Sequence, residues 1–76
     1  MDGHLHLNFG KTVKRLRKER KLSQEKLADL SGLDRSYISI LERNLKLPSL
    51  YTILALAAGL GIKASEFIME MEKIQY

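Results

Sequence analysis

The apolar residues of this chain recur at the spacing of an α-helix through most of its length. A first helix is predicted at about residues 8–20, with Phe9, Val13 and Leu16 on one face and Asn8 as its N-cap. No segment shows the sustained alternation of apolar and polar residues that is typical of a β-strand. The pattern therefore predicts an all-α fold of five short helices, organised as a single domain that takes in all 76 residues.

Capping residues mark the second helix. Ser23 is a suitable N-cap, because a serine hydroxyl can accept a hydrogen bond from an unpaired amide of the first turn. Leu27, Ala28 and Leu30 form the predicted inward stripe of this helix. Gly32 is predicted to end the helix in a left-handed conformation, which costs glycine little.

The third helix is predicted to begin after Asp34 and to place Ile38 and Leu41 inward. A loop is expected over residues 44–48. Pro48 cannot continue a preceding helix, and it disfavours helical geometry at the residue before it.

Two further helices are predicted in the C-terminal third. Ser49 is the expected N-cap of the fourth helix, and Gly59 or Gly61 is expected to close it. Ser65 is the expected cap of the fifth helix. The apolar residues of that helix are Phe67, Ile68, Met71 and Ile74.

Residues 24–43 have the features of a helix-turn-helix unit. Ala28 is small where two helices must cross closely, Gly32 lies in a turn of a few residues, and Leu33 follows as an apolar anchor. In this arrangement the second helix of the pair enters the major groove of DNA. A generic helical hairpin has the same periodicity and is the alternative interpretation.

The charge distribution favours nucleic acid as a partner. Thirteen Lys and Arg against nine Asp and Glu give a net charge of +4, and the excess is concentrated between Lys11 and Lys26. The longest apolar run, residues 53–62, is far short of the ~20 residues that span a bilayer. No signal peptide is visible, so a cytoplasmic protein without a membrane partner is expected.

The chain also resembles the phage-repressor-like helix-turn-helix regulators. The resemblance rests on these segments: LSQEKLA at 22–28, GL at 32–33, YIS at 37–39, LERN at 41–44 and PSL at 48–50. Residues 33–39 with 42–44 are most similar to the controller proteins of restriction–modification systems. Those proteins are small homodimeric transcription regulators that bind their own operators. Many relatives have glycine where this chain has Asn44, and a small residue where it has Ile40.

The third helix carries the predicted base-reading residues, which are Arg35, Ser36, Tyr37 and Ser39. Arginine can form two hydrogen bonds with guanine, and serine can bond any base edge. The alternatives are a solvated or ion-paired Arg35 and a partly buried Tyr37.

The predicted contacts with the DNA backbone are Gln24, Arg43, Asn44 and Lys46. Gln24 begins the second helix, where unpaired amides already attract phosphate, although it could also be an ordinary exposed first residue. Arg43 and Asn44 resemble the phosphate contacts of relatives.

Arg17 and Glu42 are interpreted as a structural pair. Each lies beside an apolar residue of its own helix, and the resemblance implies a semi-buried salt bridge between the first and third helices. The pair is expected to hold the recognition helix at its angle.

The C-terminal third is expected to mediate dimerisation through residues 49–76. The fourth helix is apolar nearly all round, and a domain this small can bury only one side of it. Alternatively, the fifth helix folds back and covers the whole apolar surface. The expected interface residues are Leu50, Ile62, Phe67 and Met71.

Catalysis is not expected. The absence of cysteine excludes thiolate chemistry and cysteine-ligated zinc. Ser23 and Lys26 match a Ser-x-x-Lys pattern that needs a far larger fold. His4 and His6 could form a weak metal site, but a flexible tail over residues 1–7 is the favoured interpretation. Neither a cofactor, a metal nor a small-molecule substrate is expected.

The function expected from these observations is sequence-specific transcription regulation. The protein is expected to act as a homodimer on double-stranded DNA with a palindromic operator, and to regulate its own gene. A restriction–modification controller is the first expectation, with a phage-type repressor or an antitoxin as alternatives. A protein-interaction module that has lost DNA binding is the alternative from a different class.

Overall fold

Five α-helices make up the structure, a computed structural model that describes the backbone of residues 4–74 and the side chains of residues 9–73. The helices are α1 (His4–Glu19), α2 (Gln24–Ser31), α3 (Arg35–Glu42), α4 (Leu50–Leu60) and α5 (Ala64–Ile74). No strand occurs among the residues described. The predicted all-α fold of five helices is confirmed.

Three of the predicted N-caps are confirmed. The side chains of Ser23, Asp34 and Ser49 accept hydrogen bonds from amides in the first turns of α2, α3 and α4. Each of these bonds pairs a donor that would otherwise be unpaired at a helix start. Gly32 ends α2 at φ 72° and Gly61 ends α4 at φ 76°, in the left-handed region that glycine adopts readily.

The starts of the first and last helices differ from the prediction. Helix α1 begins at His4, and residues 4–7 hold no proline or glycine that would interrupt it. Asn8 therefore lies within the helix instead of capping it. Residues 1–3 of the predicted tail lie outside the described residues, and the other four are the first turn of α1.

The predicted cap of α5 is wrong. The helix begins one residue before Ser65, and Lys63 occupies the N-cap position. The Lys63 amide donates to Oε1 of Glu66 at 3.1 Å, and its carbonyl accepts from the Phe67 amide at 3.1 Å. Glu66 therefore contributes the glutamate half of a capping box, which pairs the amide of the N-cap residue itself.

One apolar core lies between the helices. Phe9 of α1 and Phe67 of α5 pack edge to face, with ring centroids 5.7 Å apart. The other large buried side chains are Val13, Leu16, Leu27, Ile38, Leu41, Leu56 and Leu60. Since burying each such side chain contributes about 1.5–3 kcal/mol, this core supplies the main stabilising term of the domain.

Helices α2 and α4 cross closely at Gly59. A Cβ atom at Gly59 would lie 3.0 Å from Cβ of Ser31 and 3.2 Å from Cδ1 of Leu27. Of the two glycines considered as the end of α4, Gly61 closes the helix, whereas Gly59 lies within it and permits the crossing.

The inward stripe of α2 is also corrected. Leu30 is 49% exposed, whereas Ser31 is buried. At 100° per residue, Ser31 falls between Leu27 and Ala28 on the helical wheel, and Leu30 falls about 100° from the centre of that arc. The Ser31 hydroxyl can be buried because it donates to the Leu27 carbonyl at 2.7 Å.

Within residues 4–74, no single helix is both long and apolar enough to cross a membrane. Helices α4 and α5 together reach the length and composition of a span, but they are bent by 97° relative to each other.

Candidate nucleic-acid interface

Helices α2 and α3 form a tight helix-turn-helix. Only residues 32–34 separate them, and both the Gly32 and the Leu33 amides donate to the Ala28 carbonyl. Ile38 and Leu41 are fully buried, so one side of α3 packs on the core and the opposite side faces outward. A short helix presented in this way has the shape of a major-groove reading element.

The predicted ion pair between Arg17 and Glu42 is present and bidentate. Arg17 Nε donates to Glu42 Oε2 at 2.7 Å, and Nη2 donates to Oε1 at 3.0 Å. The third donor, Nη1, binds the Leu22 carbonyl at 2.8 Å. The hydrogen bonds to Glu42 raise the pKa of Arg17. The side chains are 10% and 3% exposed, so this pair ties α1 to the C-terminal end of α3 away from most solvent.

Gln24 connects this ion pair to the outer surface of α3. Its Nε2 donates to Glu42 Oε1 at 3.1 Å, and its Oε1 accepts from Arg35 Nη1 at 3.5 Å. A carboxylate can only accept, so Glu42 fixes which end of the Gln24 amide points inward. Gln24 is therefore a half-buried link and not a freely exposed first residue of α2.

The first turn of α3 carries exposed polar side chains. Arg35 and Ser36 are exposed, and Ser39 is half-buried on the next turn. The Ser36 hydroxyl donates to Asp34 Oδ2, and this hydrogen bond is the main cause of the lowered pKa of Asp34. Arg43 is exposed at the end of the helix, where its Nε donates to the Ser39 carbonyl at 3.3 Å. Three of the four predicted reading residues, Arg35, Ser36 and Ser39, thus share one side of the helix.

Tyr37 is placed differently from the other predicted reading residues. Its ring is half-buried against the core, and its hydroxyl lies 3.3 Å from Thr52 Oγ1 on α4. The structure therefore places Tyr37 in the wall between α3 and α4, as the alternative interpretation expected.

Asn44 serves a structural purpose that the sequence did not reveal. It adopts φ 61°, a left-handed conformation that asparagine and glycine tolerate better than other residues. Its Oδ1 accepts from the Gly10 amide at 3.1 Å, and a Cβ atom at Gly10 would lie 2.8 Å from the Glu42 carbonyl oxygen. Only the amide nitrogen of Asn44 is left for the predicted phosphate contact. A glycine inside a predicted helix was the available signal for this close approach.

The basic run between Lys11 and Lys26 divides into two chemical groups. Its arginines are used within the chain: besides Arg17, Arg15 pairs with Glu70 at 2.7 Å and Arg20 donates to the Leu60 carbonyl at 2.8 Å. Its lysines are exposed, and so is Lys46 in the loop after α3. The exposed lysines therefore add to the positive field of the domain, together with Arg35 and Arg43 on α3 and just after it.

Two of the four predicted interface residues are not on the surface. Phe67 is 0% exposed and Met71 is 9% exposed, because α5 turns this face onto α1. Leu50 is 72% exposed and Ile62 is half-buried. The exposed apolar side chains near the start of α4 are Leu45, Leu47, Leu50, Tyr51 and Leu54. We call this set the α4 apolar surface. The side chains of His4 and His6 lie outside the described residues.

Comparison with known proteins gives a consistent picture. A family model described as helix-turn-helix matches residues 13–67. The immunity repressor protein of Bacillus phage phi105 is 44% identical over 64 residues, which cover 84% of this chain and 44% of the repressor. The control protein C.MunI of Mycoplasma sp is 41% identical over 70 residues, which cover 91% of this chain and 95% of C.MunI. The crystal structure of the restriction-modification controller protein C.AhdI from Aeromonas hydrophila superimposes with a TM-score of 0.78 at 47% identity, covering 82% of this chain and 94% of that one.

Proposed function

Because this chain belongs to the helix-turn-helix family of DNA-binding transcription regulators, we propose that it binds a palindromic operator as a homodimer and regulates its own gene. The observation that carries this proposal is the outward presentation of Arg35 and Ser36 on a helix whose other side is fixed to the core.

The residues of α3 suit direct reading of bases. Arg35 lies in the first turn, where a guanidinium entering the major groove can form two hydrogen bonds with a guanine. Ser39 can donate to or accept from any base edge, and Ser36, whose proton is held by Asp34, can accept from a base. The link from Glu42 through Gln24 limits the freedom of Arg35 before DNA arrives, which lowers the entropy lost on binding.

The surrounding polar residues suit contacts with phosphate. Arg43 and Lys46 are exposed on and just beyond α3, and Asn44 retains its side-chain NH2 donor beside it. The NH2 group of Gln24 is held by Glu42, so Gln24 would have to turn its amide to contact phosphate. Phosphate contacts set the position of the helix in the groove without carrying sequence information. The exposed lysines of α1 add a long-range attraction that depends on salt.

A second copy of this chain is the proposed occupant of the α4 apolar surface. Leu47 and Leu50 are each 72% exposed and Tyr51 is 70% exposed, so three large apolar side chains lie in water on a domain of 76 residues. A two-fold dimer through this surface would bury them and present two α3 helices to two half-sites.

Control of a restriction–modification system is the proposed context, with action in the cytoplasm, where the DNA lies. This chain covers nearly the whole length of C.MunI and C.AhdI but less than half of the phage repressor. The identity to these two controllers, 41% over 70 residues for C.MunI and 47% for C.AhdI, supports a controller context.

The proposal is tested by a mobility-shift assay with the DNA upstream of the gene for this chain, and with a scrambled duplex as control. If each subunit neutralises ~4 phosphates, the slope of log K against log salt is expected to be about −7 for a dimer. Tighter binding to the upstream duplex than to the scrambled one supports sequence-specific regulation. Absence of binding to both duplexes at low salt overturns it and favours a protein-interaction module.

A further inference from the structure

Three hydroxyl groups connect the recognition helix α3 to the start of α4. Ser49 Oγ accepts from the Thr52 amide at 3.1 Å and donates to Thr52 Oγ1 at 3.1 Å. Thr52 Oγ1 in turn lies 3.3 Å from the hydroxyl oxygen of Tyr37. This series of hydrogen bonds thus runs from the N-cap of α4, through a threonine that is 4% exposed, to the edge of α3.

Counting protons gives a direction to the hydrogen bonds among these three hydroxyl groups. Thr52 Oγ1 already accepts from Ser49, and its own proton needs an acceptor because the residue is buried. Among the described residues, the Tyr37 oxygen is the only other hydrogen-bond partner of this hydroxyl. The 3.3 Å distance permits either hydroxyl to donate, and we assign the donor role to Thr52 from this partner count. The phenolic proton of Tyr37 is then left to donate elsewhere.

We propose that Thr52 is a positioning residue that holds the Tyr37 hydroxyl so that its proton is donated to a phosphate oxygen of bound DNA. Tyr37 would then be a backbone contact, not a reader of bases. Its hydroxyl is held on the α4 side of the helix, whereas Arg35 and Ser36 lie on the exposed side. Phosphate oxygens only accept, so they match a hydroxyl whose proton is left to donate. This inference rests on the proposed function.

The test compares Tyr37→Phe, Thr52→Val, Thr52→Ser and the double variant Tyr37→Phe with Thr52→Val. Affinity is measured on cognate and scrambled duplexes, below the unfolding temperature of every variant. Tyr37→Phe is expected to weaken binding about three- to tenfold per subunit, equally on both duplexes. The salt slope is expected to stay unchanged, because tyrosine is neutral and releases no counterion.

Thr52→Val is expected to weaken DNA binding in the same way, and to cause no further loss when Tyr37→Phe is already present. Thr52→Ser keeps the hydroxyl group and is expected to bind DNA like the wild type. Ala58→Gly is the matched control, because it weakens α4 at an exposed position and leaves all three hydroxyl groups in place. Ala58→Gly is expected to lower thermal stability while DNA affinity stays within twofold.

Several outcomes would overturn the inference. One is a Thr52→Val variant whose DNA affinity is unchanged. Another is a double variant whose loss of affinity is the product of the two single losses. If Tyr37→Phe lowers affinity for the cognate duplex only, Tyr37 is a reader of bases. This comparison does not require a substitution at the buried Thr52. Failure of the wild-type chain to bind either duplex would remove the proposed function itself.

Discussion

Arg17 donates to both carboxylate oxygens of Glu42, and these contacts join the first helix to the end of the third. Gln24 shares one of those oxygens and reaches Arg35 on the outer surface. A buried ion pair is thus connected by two hydrogen bonds to a residue proposed to read DNA. The angle of α3 and the position of its first arginine depend on the same carboxylate.

Removing one partner of this ion pair is expected to destabilise the fold. Arg17→Ala leaves Glu42 as an uncompensated charge that is almost fully buried, at a cost of about 3 kcal/mol. Chemical denaturation of Arg17→Ala, Glu42→Ala and the double variant measures the coupling. Arg15→Ala is the matched control. Its ion pair with Glu70 is more exposed, so a loss of at most about 1 kcal/mol is expected. Strictly additive losses at positions 17 and 42 would contradict a direct interaction.

Arg35→Ala is expected to abolish discrimination at one base position of each half-site, at about 1–3 kcal/mol per position. Lys46→Ala is expected to weaken binding equally on cognate and scrambled DNA, because a phosphate contact carries no sequence information. Competition between the two duplexes separates these effects. If Arg35→Ala lowers the affinity for both duplexes equally, Arg35 is a backbone contact.

Gly10→Ala is expected to destabilise the domain, although alanine is normally favoured over glycine within a helix by about 1 kcal/mol. The added methyl group would press on the Asn44 side chain and on the Glu42 carbonyl, so a net loss of about 1–3 kcal/mol is expected. Urea denaturation measures the loss. The exposed Ala58→Gly provides the reference for ordinary helix preference in this chain. A gain in stability for Gly10→Ala would show that Asn44 moves away without cost.

The wild-type chain is expected to sediment as a dimer at ~100 µM, well above the dissociation constant of a weak dimer. Leu50→Glu is expected to give a monomer, because it places a charge on the α4 apolar surface. Leu30→Glu is the control, because this exposed leucine lies on α2, outside that surface. A monomeric wild type, or a dimer that tolerates Leu50→Glu, would exclude this surface as the interface.

Acid is expected to weaken the attachment of α5 to α1. The hydrogen bond from Arg15, followed by that from Lys73, lowers the pKa of Glu70 below its ordinary value. A carboxylate with a lowered pKa in the folded state stabilises above its unfolded pKa of about 4.3, and this contribution is lost as pH falls through the folded value. Thermal unfolding between pH 7 and about pH 3 checks this expectation, with Glu70→Gln as the comparison. A Glu70→Gln variant with the same acid sensitivity as the wild type would contradict it.

Local features of the structure were predictable from the sequence because their causes lie within a few residues. Ser23, Asp34 and Ser49 each cap a helix by bonding to an amide two or three positions ahead. The ion pair between Arg17 and Glu42 was anticipated through the family resemblance and not from spacing, since the two residues are 25 positions apart.

The sequence by itself determined the five helices, three of their caps and the tight turn between α2 and α3. The tertiary structure decided which side of an apolar helix is buried. Phe67 and Met71 turned inward because α1 covers that face of α5, and Leu50 stayed outside because no described helix covers it. The contact of Gly10 with Asn44 joins α1 to the turn after α3, and that of Tyr37 with Thr52 joins α3 to α4. Helical periodicity defines a face but not the neighbour it meets, so only the packed fold could reveal these partners.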